Sequence, residues 1–191
     1  MSPGSLAPAW GRGVVQKFHV STQRIAIVLS YTVLVPRVPD RHTGNYERYS
    51  RGPALVREAL AGTDPATLNR RLPDEDWSMR DVIIHLADSE LVHAVQMRFV
   101  LASDDSELFG FDQDLWKRRL LYVFRDPEAA LSVFQQVRYG VAELLRECAP
   151  DAWERTSSHP QYGTVSVADL MRRAADHVEQ HVVQLGNMRQ K

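Results

Sequence analysis

The segment Val82 to Leu101 contains neither proline nor glycine, and Val82, Ile83, Ile84, Leu86 and Ala87 make its first turns apolar nearly all the way round. A helix without a polar face must be enclosed by other elements. The segment therefore predicts a central bundle helix and obliges the rest of the chain to supply its cover. Ser78 can cap it, and Asp81 stands at the third position after that cap, close to a capping box.

Three further helices can provide the cover. Tyr46 to Leu60 reads as one, with Gly62 as its stop and Gly52-Pro53 as a kink or a late start. Another starts at Asp126-Pro127-Glu128 and carries Leu131, Phe134, Val137, Val141, Leu144, Leu145 and Cys148 at helical spacing, until Pro150 ends it. The last is capped by Ser166, with Asp169 in its first turn, and has an apolar face running from Val167 to Met188. Residues 103–125 read as a loop over a pocket, with a short helix from Leu115 to Phe124. Trp153 to Thr164 reads as an exposed connection. The expected fold is all-α: a four-helix bundle over residues 44–191, preceded by an irregular, flexible extension over residues 1–43.

Charge and cysteine content narrow the functional classes. A formal net charge of −1 leaves no basic surplus to neutralise a phosphate backbone, so nucleic acid is not an expected partner. The one cysteine, Cys148, rules out a disulfide or thiolate-cluster framework within the chain. The apolar run Ile25 to Val35 is too short to span a bilayer as a helix, and Pro36-Arg37-Val38-Pro39 after it offers no small-residue cleavage site. A cytoplasmic protein without a membrane partner is the expectation.

His177 and His181 lie one turn apart on the apolar face of the last helix, among Ala174, Val178 and Leu185. Two imidazoles turned into a core need partners for their ring nitrogens, and a divalent cation serves both. An isolated pair at this spacing is a common surface pattern. His85, enclosed in the apolar central helix, adds a third imidazole from a second helix of the same bundle. Asp88, one turn on, could orient a ligand ring or act as a base; a solvated acid at the helix margin is its plainer reading. His93 reads as a boundary residue, with reach to a pocket edge as the alternative, and His159 as exposed, in a connection of the kind that can rim a pocket.

Trp77-Ser78-Met79-Arg80-Asp81-Val82-Ile83-Ile84-His85-Leu86-Ala87-Asp88-Ser89-Glu90 resembles the first motif of the DinB-like (YfiT-like) metalloprotein superfamily. Asp176-His177-Val178-Glu179-Gln180-His181-Val182-Val183-Gln184-Leu185 resembles its closing motif. The resemblance implies a four-helix bundle, often a homodimer, in which His85, His177 and His181 bind a divalent metal, commonly nickel or zinc. Arg173-Ala174-Ala175 departs from it, replacing the aliphatic residue usual before the closing motif. Members include transferases that use low-molecular-weight thiols as cosubstrates, a thiol-dependent maleylpyruvate isomerase and metal-dependent hydrolases. The expected function is that of a metal-dependent transferase or hydrolase acting on a small molecule. The other class left open is a non-catalytic metal-binding bundle.

Overall fold

The computed structural model describes residues 38–71, 76–104 and 107–190. The Ile25 to Val35 run and most of the expected extension lie outside the described residues. Among the described residues six α-helices and one hairpin follow in order. They are α1 (Asp40–Leu60), α2 (Pro65–Asn69), α3 (Met79–Ala102), α4 (Gln113–Arg119), α5 (Pro127–Glu147), the strands β1 (Thr156–His159) and β2 (Gly163–Ser166), and α6 (Val167–Gln190). Among the described residues no helix is long and apolar enough to cross a membrane.

The expected caps form. Ser78 Oγ accepts from Asp81 N–H while the Asp81 carboxylate accepts from Ser78 N–H, a reciprocal pair that ties off two orphan donors of α3. Ser166 and Asp169 make the same exchange at α6. Asp126 caps α5, with Pro127 in the first turn where its missing N–H costs nothing.

Helix α1 begins at Asp40, earlier than Tyr46, so a boundary at residue 43 falls inside it. Arg41 and His42 both bond the Glu154 carboxylate, and the His42 imidazole stacks on Trp153. Pro53 is accommodated within the helix, and the chain leaves it at Gly62, whose φ of 76° suits a residue without a side chain. The expected helix at Leu115–Phe124 is instead α4, capped by Asp112, followed by a separate 3₁₀ turn at Tyr122–Phe124.

The long helices α1, α3, α5 and α6 form the bundle. Helix α1 packs on α5 and α6, and α3 packs on the same two, so α1 and α3 stand diagonally across the bundle. Helices consecutive in sequence would be neighbours in a plain up-and-down bundle. Here the connection through α2 crosses the bundle end.

Two apolar clusters fill the interior. One gathers Tyr49, Met97, Val141, Leu145, Trp153 and Leu170; the other gathers Val56, Met79, Ile84, Leu86, Phe134 and Leu185. A buried polar layer lies between them in register. Arg138, fully buried on α5, pairs with Glu90 of α3 and donates to the carbonyls of Tyr49 (3.1 Å) and Ala174 (3.3 Å). The Tyr49 hydroxyl donates to Glu90 at 2.5 Å. Helix α1 passes this layer at Gly52, where an added Cβ would come within 3.0 Å of the Arg138 guanidinium. The layer thus touches all four helices.

Candidate metal centre

The three histidines singled out in the sequence come together. Their ligand-capable nitrogens all lie within 4.8 Å of one another. His177 Nε2 stands 3.0 Å from His85 Nε2 and 3.1 Å from His181 Nε2. Helix geometry explains the pair, since His177 and His181 share a face of α6, and the packing of α3 on α6 brings in the third.

Ring tautomers favour a shared cation. The Gln184 side-chain oxygen lies 2.8 Å from His181 Nδ1, so that nitrogen carries the proton and Nε2 presents its lone pair. Burial, then the neighbouring histidines His181 and His93, holds His85 down to about 3. Burial followed by His181, His93 and His85 drives His177 further down, and burial also lowers His181. The three rings are therefore neutral at ordinary pH, and a proton on His177 Nε2 could be donated to only one of its two neighbours. Two ligands about 2.1 Å from one ion stand about 3.0 Å apart at a right angle and about 3.4 Å apart at the tetrahedral angle. The spacings from His177 to His85 and to His181 fit adjacent positions around a divalent ion.

Around His85 the site is apolar. Trp77 meets its ring edge-on at 5.2 Å between centroids, Phe111 lies at 6.2 Å, and the Ser89 hydroxyl rests 3.2 Å from Nδ1. His85 and His177, with Ser89 and Phe111, line a cavity of about 930 Å³ formed by parts of α3, α6, the Gly110–Gln113 segment and the hairpin.

Asp88 is not brought to the histidines. Both its oxygens accept from Arg125, at 2.7 and 3.1 Å, and it is absent from the cavity lining. His159, expected to be exposed, is 4% exposed on β1 and lines the cavity. Its Nδ1 accepts from the Gln161 N–H at 3.1 Å and its ring stacks on Tyr162. The hairpin itself went unread because its buried positions, Ser157, His159 and Val165, are mostly polar and mask the alternation; Gly163, at φ 69°, was the usable turn signal. His93 also lines the cavity, its ring 5.7 Å from that of His177. Cys148 sits at the C-terminal cap of α5, half-buried, where burial pushes its thiol up from the ordinary value.

A four-helix bundle with crossed connectivity and three converging imidazoles, two of them in a cavity wall, defines a class: helical bundles that carry a candidate histidine metal site. The chain belongs to the DinB superfamily, whose sequence model matches residues 48–185. It is 25% identical over 137 residues to "Putative metal-dependent hydrolase OB0782" of Oceanobacillus iheyensis, a match covering 71% of this chain and 78% of that protein. It is 24% identical over 108 residues to the similarly named YfiT of Bacillus subtilis, covering 56% of this chain and 61% of the relative. The solved structure of YfiT, described as a probable metal-dependent hydrolase with an unusual four-helix bundle topology, superposes with a TM-score of 0.73 at 18% identity, over 80% of this chain and 89% of that one. A mycothiol-dependent maleylpyruvate isomerase mutant superposes with a TM-score of 0.64 at 16% identity, over 76% and 60% of the two chains. These likenesses bear out the bundle and the family read from the motifs.

Proposed function

We propose that this chain is a metal-dependent enzyme that joins a low-molecular-weight thiol to an electrophilic small molecule. One observation carries the reading: three neutral imidazoles converge, and two of them, His85 and His177, line a cavity large enough for two small reactants. His85, His177 and His181 would hold the ion, with nickel or zinc suited to an all-imidazole set. Such an ion supplies Lewis acidity, bringing the pKa of a coordinated thiol or water into the neutral range.

The chain's own groups do the remaining work. Gln184 fixes the His181 tautomer, and Trp77 and Phe111 keep bulk water from the His85 side. In the transfer the thiol releases its proton to solvent, its sulfur forms a bond to the electrophilic carbon, and the leaving group departs with the bonding pair. Asp88, held by Arg125 away from the histidines, would anchor Arg125 to α3 rather than act as the base.

Water replacing the thiol would make the same site a hydrolase, the reading favoured by the names of the relatives. Cobalt-loaded protein separates the two. Thiol transfer predicts a thiolate-to-cobalt charge-transfer band that saturates with 2-mercaptoethanol, and turnover of a chromogenic halonitroarene that depends on the thiol. A spectrum indifferent to thiols sinks the transferase reading.

A further inference from the structure

One cation in the cavity wall has no counter-charge. Arg173 lies on α6 one turn before His177, so the two residues share a helix face with Cβ atoms about 6 Å apart. Its guanidinium lies over the Tyr162 ring at 4.0 Å, and Tyr162 stacks in turn on His159. Its Nε is buried and has no hydrogen-bond partner. The part-buried and buried arginines nearby each hold a carboxylate; Arg138 Nε also lacks a partner, but its two terminal nitrogens are bonded. Arg48 holds Asp176 and Glu179, Arg172 holds Asp169 and Asp176, Arg125 holds Asp88, and Arg138 holds Glu90. Among the described residues, no carboxylate pairs with Arg173.

The two acids that share the cavity lining are occupied. Asp176 accepts from Arg48 and Arg172, and Asp112 Oδ1 accepts from the Asp114 and Leu115 N–H groups at the start of α4. Stacking uses the face of a guanidinium and leaves its in-plane N–H donors free. A planar anion in the cavity can take those donors as a fork.

We infer that Arg173 is the carboxylate-recognition residue of this site, and that its substrate is a small molecule bearing a carboxylate within reach of the three histidines. The inference rests on the functional reading above, because it places the carboxylate's other end at the metal centre. A carboxylate fits better than a phosphate dianion: one guanidinium offers a single charge, and Asp112 and Asp176 repel a second negative charge from the same wall. The carboxylate can belong to the thiol or to the electrophile; the guanidinium recognises the same chemistry in either.

The test uses full-length cobalt-loaded protein and ω-mercaptocarboxylates from 2-mercaptoacetate to 6-mercaptohexanoate, each against the mercaptoalcohol of equal length, followed by the charge-transfer band. At the best length the carboxylate should bind about tenfold more tightly than the alcohol. Arg173→Gln should remove that preference, Arg173→Lys should restore part of it, and alcohol affinity should stay constant. Survival of the preference in Arg173→Gln overturns the inference, as does absence of a preference at every length when glutarate also binds no better than glutaramide. Equal weakening of both ligand types also overturns it, since that is the signature of an arginine that merely pins the hairpin through Tyr162. If no thiol gives a band, the thiol reading fails alone, and calorimetry with glutarate against glutaramide decides the guanidinium's role. A glutarate preference lost in Arg173→Gln upholds it, and equal binding of the two sinks it. Preference for glutarate but not for mercaptocarboxylates assigns the carboxylate to the electrophile.

Discussion

Glu90 and Arg138 form an ion pair on neighbouring helices at the mid-height of the bundle, 1% and 0% exposed. Such a pair recovers little beyond its desolvation cost while intact, but removing one partner strands a buried charge, at about 3–5 kcal/mol. Glu90→Ala and Arg138→Ala should each destabilise the fold by that order in urea denaturation. Glu90→Leu with Arg138→Met should recover much of the loss. Single variants within about 1 kcal/mol of the parent would show that the layer is wetter than its burial implies.

Metal content follows from the converging nitrogens. The purified protein should carry about one divalent ion per chain, read by elemental analysis. His85→Ala, His177→Ala and His181→Ala should each abolish tight binding, and His93→Ala should not. Gln184→Ala should weaken binding about 10–100-fold, because the His181 ring loses the acceptor that fixes its tautomer. Unaltered metal content in His181→Ala would remove that residue from the ligand set.

Acid should destabilise the metal-free fold through its buried histidines. Burial holds His93 down to about 4 and His85 to about 3, against an ordinary value of 6.5. Between those limits the unfolded chain binds protons that the folded chain refuses, so stability rises with pH across the window. The contribution is complete above about pH 6.5 and is lost as pH falls toward 4 and then 3. Melting temperatures of chelator-treated protein should be level from pH 8 to 7 and decline below 6.5; a flat profile down to pH 4.5 contradicts the buried, neutral state of these rings.

Two truncations test where the bundle begins. Removing residues 1–43 takes the Arg41 and His42 bonds to Glu154 and the stacking of His42 on Trp153; removing residues 1–37 leaves them. The longer deletion should melt several degrees lower than the shorter one, at a loss of about 1–2 kcal/mol. Equal melting temperatures would show that the first turn of α1 frays without cost.

The elements that the sequence made legible share a physical reason. Ser78, Asp126 and Ser166 are caps whose side chains act within one turn, and His177 and His181 are joined by helix periodicity alone, so local rules locate them. His85 was legible because nothing around it in α3 could draw it to water. What escaped depends on contacts between distant segments. Arg138 stands on the stripe Leu131, Phe134, Arg138, Val141, Leu145, a register that marks it as buried. Glu90, on another helix, supplies the counter-charge that makes that burial tolerable. His159 and Tyr162 become cavity residues through a hairpin whose strands pair Thr156–His159 with Gly163–Ser166 and carry few apolar side chains to announce them.

The backbone bond from Leu108 N–H to Ser158 C=O, 2.9 Å long, joins the segment after α3 to the hairpin, and the Gln96 side chain adds a bond to Phe109 C=O at 2.7 Å. The two outer rims of the cavity are thereby stitched together and tied to α3. A reactant that pushes the hairpin outward must carry the Phe109–Phe111 stretch with it, and Phe111 is one of the rings shielding His85. Admission of the reactant and wetting of the histidines are then one mechanical event, so hydrogen exchange at Leu108 and at the hairpin amides should quicken or slow together when a ligand enters.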